Sequence, residues 1–184
     1  EKLYVKNNLT IGSNVNFEIG DGKDVEVGGN LVIESGATVK TTHGDIMFNG
    51  GGDLQQLSVA GAIKSGATNT DDGFYSITVD EDSKLQVNNN ITVNNKFTLA
   101  SGSELHDGVD NNIYTMNGDV IIDGTHKKRS AGAAKMVLKS TNIYSSGTGV
   151  LQNVEIDNGD RELKLLDPYS EGRQTKLTIN GRLN

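Results

Sequence analysis

The chain of 184 residues has no cysteine and no tryptophan, and it contains a single proline. Without cysteine it can form neither a disulfide framework nor a thiolate metal site. Hydrophobic residues make up 34% of the chain when glycine is left out, whereas the roughly 45–50% of ordinary globular domains includes glycine. We expect no large spherical core. The composition favours a thin core, in which every second residue of a short strand is buried.

Long apolar runs and an excess of positive charge are also missing. No run approaches the roughly 18 residues that span a bilayer, so we predict no membrane span. The net charge is −7, and nucleic-acid phosphates need a basic patch, so we predict no nucleic-acid partner. Neither a signal peptide nor an initiator methionine is found at Glu1. We therefore expect the chain to continue beyond both ends in a longer protein.

Glycine, with 23 residues, and asparagine are abundant. Both tolerate the left-handed backbone region and so permit tight corners. They separate short runs in which apolar and polar residues alternate, for example Val15-x-Phe17-x-Ile19, and such alternation predicts strands. Short strands between short corners do not suit a flat antiparallel sheet. They fit a coil whose walls are parallel sheets, formed by the stacking of successive turns.

Several segments recur along the chain in the same order. Residues 25–39 return 66 residues later as 91–105, with the same spacing of apolar residues and a Ser-Gly pair in register. Two further pairs are 44–50 with 118–124, and 77–80 with 154–157. We interpret the chain, 1–184, as one continuous solenoid of eight or nine turns. It would comprise super-repeats at about 25–90 and 91–176, an insertion around 106–112, and a third copy starting at 177.

The period-two pattern predicts which side chains point inward. The predicted core consists of Val25, Val27, Leu31, Ile33, Ile46, Phe48, Ile77, Val79, Ile91, Val93, Phe97, Leu99, Val120, Ile122, Val154, Ile156, Leu163 and Leu165.

Three phrases resemble a known repeat: G-D-I-M-F-N-G-G-G at 44–52, Y-S-I-T-V-D at 75–80 and N-I-T-V-N-N-K-F-T-L-A-S-G at 90–102. The repeat is that of very long secreted surface adhesins of gliding and related bacteria, of the Bacteroidota type. The resemblance implies an all-β fold, a right-handed parallel β-helix (β-solenoid) with irregular loop insertions. It also implies an extracellular, cell-surface location and a non-enzymatic structural or adhesive role. The partners would be an external surface or glycan and further copies of the repeat; the family pattern supplies no catalytic residues.

The insertion around 106–112 is rich in oxygen donors. Asp107, Asp110 and Asn112 are the candidate ligands for Ca²⁺, which takes six to eight oxygens in proteins. The chain has no EF-hand loop and no calcium-binding nonapeptide, so an ordinary solvated turn is the alternative. We predict no other cofactor.

Three consecutive cations, Lys127, Lys128 and Arg129, form a candidate contact for an anionic glycan, with a solvated loop as the alternative. A polysaccharide-degrading β-helix would need carboxylates and cations that converge on one groove. The carboxylates of this chain are scattered over its corners, and the three histidines lack metal-ligand spacing. We therefore predict that the chain is not an enzyme, and keep a glycan-binding or polysaccharide-degrading β-helix as the alternative.

Ice binding is a third hypothesis, because some solenoids carry a flat outward ladder of threonines. Thr10, Thr78, Thr92, Thr98 and Thr178 occupy outward strand positions. Other outward positions hold Glu26, Val32, Gln86 and Glu155, so a continuous threonine face is not expected.

Overall fold

The structure, a computed structural model, describes residues 1–68, 70–129, 134–140, 142–157, 159, 164–166 and 176–183. These residues form strands and turns but no helix, and so none of them belongs to an apolar helix that could cross a membrane. In chain order the strands are β1 (Lys2–Val5), β2 (Leu9–Ile11), β3 (Asn16–Glu18), β4 (Asp24–Val27), β5 (Leu31–Ile33), β6 (Thr38–Lys40), β7 (Asp45–Phe48), β8 (Leu54–Val59), β9 (Ala62–Ser65), β10 (Asp71–Asp72), β11 (Phe74–Val79), β12 (Lys84–Val87), β13 (Ile91–Leu99), β14 (Glu104–Asp107), β15 (Ile113–Met116), β16 (Asp119–Ile122), β17 (Thr125–Lys127), β18 (Lys135–Leu138), β19 (Asn142–Tyr144), β20 (Val150–Ile156), β21 (Lys164–Leu166) and β22 (Thr178–Leu183).

The strands stack in parallel as three walls of a β-solenoid. Wall one stacks β1, β4, β7, β11, β13, β16, β19 and β21 in that order. Wall two stacks β2, β5, β8, β12, β14, β17, β20 and β22. Each strand of wall one lies a full turn above the last, so the described residues make about seven turns rather than the eight or nine expected.

Wall three is divided into two parts. In the first turns it consists of β3, β6 and β9, which form a separate parallel sheet. In later turns it consists of 91–93 of β13, then β15, β18 and the end of β20. Between the parts the chain makes an antiparallel hairpin, in which β10 pairs with β9. This hairpin is one of the irregular insertions of the fold.

The core consists of columns of like side chains that run along the solenoid axis. One column of wall one contains Val27, Phe48, Val79, Leu99 and Ile122, all of them completely buried. Each strand alone cannot cover its apolar face, but stacking on a like strand about 4.8 Å away covers that face and completes the backbone hydrogen bonds.

Most of the predicted core is confirmed. Fifteen of the eighteen residues are buried: Val25, Val27, Leu31, Ile33, Ile46, Phe48, Ile77, Val79, Ile91, Val93, Phe97, Leu99, Val120, Ile122 and Val154. Ile156 is partly buried against the same core, and Leu163 lies outside the described residues. The prediction that Leu165 points inward is wrong, because this residue is 42% exposed. It stacks on Ile143, and no described strand lies beyond it.

One four-residue turn is used repeatedly at the corners. The amide of its fourth residue donates to the carbonyl of its first, and its third residue has a positive φ. The turn occurs at residues 12–15, 20–23, 34–37, 50–53, 80–83 and 100–103, with Asn14, Gly22, Gly36, Gly52, Asp82 and Gly102 at the third position. Glycine, asparagine and aspartate are the residues that accept this conformation most readily. The recurring Ser-Gly pairs are the centres of two of these turns.

The same turn serves all three corners of the solenoid. It joins wall two to wall three at 12–15, wall three to wall one at 20–23, and wall one to wall two at 100–103. Segments that repeat in the sequence therefore do not always lie in the same wall. Residues 25–27 lie in wall one, whereas their counterparts 91–93 lie in wall three. The segments 44–50 and 118–124, by contrast, both contribute strands to wall one.

Candidate functional site

The candidate site residues lie at or beside the corner between walls two and three, in the fifth and sixth turns. The insertion is shorter than expected, because His106 and Asp107 are the last residues of β14 and only 108–112 form the corner. In the next turn the chain leaves β17 at Lys127 and enters β18 at Lys135. Arg129 links the two turns by donating from Nη1 to the carbonyl of Gly108.

A completely buried pair, Asp107 and His126, lies beneath this corner. His126 Nε2 is 2.7 Å from Asp107 Oδ1, and both side chains have no solvent exposure. Asp107 Oδ2 accepts the backbone N–H of Ala134 at 3.0 Å. His126 Nδ1 accepts the backbone N–H of Gln152 at 3.3 Å. Since Nδ1 is an acceptor, it carries no proton, and the imidazole is neutral. The proton is on Nε2, which donates a hydrogen bond to the carboxylate.

Two further polar side chains complete the buried cluster. The ring of Tyr114 lies 6.0 Å from that of His126, and its hydroxyl donates to the carbonyl of Val87 at 3.4 Å. Asn112 Nδ2 donates to the same carbonyl at 3.4 Å. Burial raises the pKa of Tyr114, and the nearby carboxylate of Asp107 raises it further. The phenol therefore stays protonated and acts as a donor.

The buried pair connects neighbouring turns through its hydrogen bonds. An Asp–His pair can activate a nucleophile only when the imidazole reaches a reacting group. Here one imidazole nitrogen is directed at a carboxylate and the other at a backbone amide. The pair ties β14, β17, β20 and Ala134 together, and so connects three successive turns of wall two.

The structure separates the three calcium candidates. Asp107 is buried and bonded as described, and Asn112 is 8% exposed, whereas Asp110 lies on the surface. The described part of the chain holds no group of three or more His, Asp or Glu side chains arranged to bind a metal ion. Calcium binding at 107–112 stays a prediction, for which the inward direction of Asp107 offers no support.

The cation candidates lie on the surface as expected. Lys127, Lys128 and Arg129 are exposed. Lys127 Nζ is 3.5 Å from Glu104 Oε1, while Glu104 Oε2 is 2.7 Å from His106 Nε2. The hydrogen bond from His106, with the charge of Lys127 added, lowers the pKa of Glu104. Arg129 differs from its two neighbours because its guanidinium bonds to the backbone of the previous turn.

The register of wall two reveals a row of outward polar side chains that was missed from the sequence. Gln56, Gln86, His106 and Lys127 are consecutive partners in β8, β12, β14 and β17, and Gln152 of β20 continues the row. We call these five residues the polar row. The alternation K-x-Q, E-x-H and T-x-K marks Gln86, His106 and Lys127 as outward, but the sequence does not show that the five residues stack on one another.

A second unpredicted feature is the carboxyl of Asp45 in wall one. Asp45 Oδ2 accepts a hydrogen bond from Thr78 Oγ1 at 2.8 Å, whereas Oδ1 is buried without a partner among the described residues. Burial raises the pKa of Asp45 to about 6, and the hydrogen bond from Thr78 and the charge of Lys96 oppose this shift only in part. No pattern in the sequence marks this aspartate among the others.

Comparison with known proteins found no matching family model, no matching curated protein and no matching solved structure. The fold and the site geometry are therefore the basis for assigning a function.

Proposed function

We propose that the chain is a non-enzymatic structural and adhesive segment of a large extracellular cell-surface protein, which extends and presents a binding surface. The observation that carries this proposal is the uninterrupted parallel stack of wall one. Its eight strands rise through seven steps, or about 34 Å along the axis at the usual strand spacing. A coil that contacts only its neighbouring turns lengthens in proportion to its number of turns.

The interior of the solenoid supports the same role. Its columns are aliphatic and aromatic over most of their length. The polar side chains within it bond to the protein itself: Gln55 Nε2, for example, donates to the carbonyls of Val27 and Gly29, at 2.7 Å each. Such contacts hold neighbouring turns in register, which is the requirement of a stiff spacer.

Location and activity are tested separately. An antibody against the folded chain should label intact, unpermeabilised cells of the organism that encodes it, and labelling only after permeabilisation would contradict the proposed location. Incubation with acidic and neutral polysaccharides should release no more reducing ends than a heat-treated control. Reproducible cleavage would instead favour the degrading β-helix.

Ice binding gains no specific support from the register. Thr78 stacks on Thr98 in wall one, and Thr92 stacks on Thr115 in wall three. The first pair continues into Met47 and Ile121, and the second into Val137. Glycan binding, in contrast, is favoured by a specific observation, the polar row with its adjoining cations.

A further inference from the structure

We infer that the gap in wall three binds an extended segment of another polypeptide, which adds one short strand between β9 and residues 91–93. The partner segment is uncharged and carries a small apolar side chain where it faces the core. This interaction surface goes beyond the proposed spacer role, and a failure to bind peptide would leave that role standing.

The gap lies where wall three passes from its first part to its second. β9 pairs with β6 below it, and 91–93 pair with β15 above them. On the facing sides, β10 reaches only the last two residues of β9, and the pairing of β11 with β13 begins at Val93. Among the described strands, none therefore pairs on this side with Ala62, Ile91 or Thr92.

At its closed end the gap is one strand wide, and Gly73 fills it. The amide of Gly73 donates to the carbonyl of Ile63 at 3.1 Å. A Cβ on Gly73 would lie 2.6 Å from the carbonyl oxygen of Thr92, so the same residue also touches the opposite edge. Beyond Gly73 the chain leaves for the buried Phe74, and the gap continues as an open groove of about 260 Å³. A water takes about 30 Å³ in the liquid, so the groove has room for a short peptide segment.

The strand below the groove directs the N–H of Ile63 into it. The amide of Ala62 and the carbonyl of Lys64 both bond to backbone groups of the turn below. Successive residues of a parallel strand bond to opposite neighbours, so Ile63 faces upward. Its carbonyl already accepts from Gly73, and its N–H is directed at the side of the groove.

The strand above the groove directs the N–H of Thr92 into it by the same alternation. The carbonyl of Val93 accepts from Asn117 in the turn above at 2.8 Å, so Val93 bonds upward and Thr92 faces downward. An extended peptide turns its successive carbonyls to opposite sides. One carbonyl of a bound strand can therefore meet Ile63, and the next can meet Thr92.

The pairing of β10 with β9 gives the direction of the added strand. β10 runs antiparallel to β9 within the same gap, and the open groove continues its line past Gly73. A partner segment in this direction extends an interface that the chain already forms with itself. Strands added at a sheet edge bind through their backbone groups and are selected through alternate side chains.

The lining of the groove selects the side chains of the partner. Its floor consists of the buried side chains of Ile63, Phe74 and Ile91. An inward residue of the partner must therefore be small and apolar. Of the residues that line the groove, only Asp72 is charged, and it is already paired with Lys64 at 2.5 Å. An uncharged segment fits this surface.

The test is amide hydrogen exchange of the intact chain, followed by NMR, with the peptide acetyl-TVT-amide as the probe. Its valine is the inward residue. At a peptide concentration ten times the Kd, mass action slows the exchange of an amide that is covered only in the complex by about tenfold. We expect this slowing at Ile63 and Thr92. The control peptide, acetyl-TET-amide, places a charge at the inward position and should not slow exchange.

The test variant is Thr92→Pro, because proline removes the N–H that is directed into the groove. Proline is tolerated in a strand where its N–H would make no ladder bond. Thr92→Ala, which keeps the N–H, is the matched control. We expect the proline variant to bind acetyl-TVT-amide roughly tenfold more weakly, since it loses a hydrogen bond and its ring enters the groove. The alanine variant should bind like the native chain.

Four outcomes would overturn the inference. The first is unchanged exchange at Ile63 and Thr92 in the native chain at the highest peptide concentration, a result that needs no variant to fold. The second is equal slowing by the two peptides. The third is equal slowing by sodium acetate alone, which would indicate a site for small anions. The fourth is unweakened binding of the peptide to a folded Thr92→Pro chain.

Discussion

At the scale of single residues, the corners of this solenoid depend on the third position of a four-residue turn. Its φ is +83° at Gly36 and +73° at Gly102, but also +63° at Asn14 and +56° at Asp82. Residues with a Cβ pay about 1–2 kcal/mol in this region, less for asparagine and aspartate. At Gly36 and Gly102 the neighbouring turn also crowds the position, whereas at Gly22 it does not. A Cβ on Gly36 would lie 3.1 Å from Ser13 Oγ.

Replacement of Gly36 by alanine should lower the free energy of unfolding by about 1–2 kcal/mol, because the new Cβ meets both the unfavourable φ and the side chain of Ser13. Gly12→Ala is the matched control. Gly12 lacks a positive φ, and its Cβ would have ordinary contact with Glu34 at 3.8 Å. Urea unfolding of both variants would check this, and equal losses of stability would show that the turn conformation is not the cause.

Asp45 predicts a dependence of stability on pH. Its pKa in the folded state is about 6, above the ordinary aspartate value of 3.8. The folded chain therefore holds this proton more tightly than the unfolded chain. Stability conferred by the protonated carboxyl falls as pH rises from about 4 to about 6, and stays lower above that.

Asp45→Asn should accordingly raise the free energy of unfolding at pH 8 by about 1–2 kcal/mol, which allows for partial solvent access to the carboxyl. Asparagine can still accept the hydrogen bond from Thr78. At pH 3, where the native carboxyl is protonated in both states, the gain should vanish. Thermal or urea unfolding over this pH range measures the difference, and a gain of equal size at pH 3 would contradict the assignment.

At the scale of elements, the strands were predictable and the exact membership of each wall was not. Val25, Val27, Phe97 and Leu99 alternate with polar residues, and this alternation alone determines which face is buried. The pairing of strands depends on the lengths of the corners between them. Alternation does not specify these lengths, and the sequence accordingly placed 91–93 as the counterpart of 25–27 although the two segments lie in different walls.

His126 shows a second limit of sequence pattern. Its neighbours Leu105 and Leu151 on wall two are buried aliphatic residues, so His126 occupies an inward position of an otherwise apolar column. In the sequence it directly precedes the three cations Lys127, Lys128 and Arg129, which hides its inward position. The signal that could have identified it is the alternation in T-H-K, with the central residue inward, together with the identical alternation in E-L-H one turn earlier.

The Asp107–His126 pair should contribute strongly to stability only as a pair. His126→Leu alone leaves the carboxylate of Asp107 buried without its partner and should cost about 3–5 kcal/mol. Adding Asp107→Val should restore part of that loss, because leucine and valine continue the columns of Leu105 and Val87. A double-mutant cycle by urea unfolding measures the coupling. Additive losses would show that the two side chains act independently.

At the scale of the whole molecule, each turn depends mainly on its two neighbours. Ser76 and Lys96 are stacked partners one turn apart in wall one, and Ser76 also stacks on Asp45. Removal of residues 76–95 would therefore bring Lys96 into the position of Ser76, directly above β7. The strands that follow would find apolar partners in the turn below.

The chain lacking 76–95 should fold into a solenoid one turn shorter, with β-sheet circular dichroism and a cooperative thermal transition. The control deletion is 76–85, which removes the wall-one strand and ends in the middle of β12, so that the walls lose their alignment. We expect the control chain to lose its cooperative transition. Similar behaviour of the two deletions would contradict the dependence on stacked whole turns.

The use of one turn at all three corners has a consequence for the gene that encodes this protein. A DNA segment that encodes a strand with its turn remains meaningful wherever it is copied, since the same peptide bends the chain at any corner. Unequal recombination between mismatched copies can therefore yield coding sequence whose product still bends at the corners. Such a gene can change its length by recombination between two copies of the strand-and-turn segment. The two copies need not encode the same corner of the solenoid.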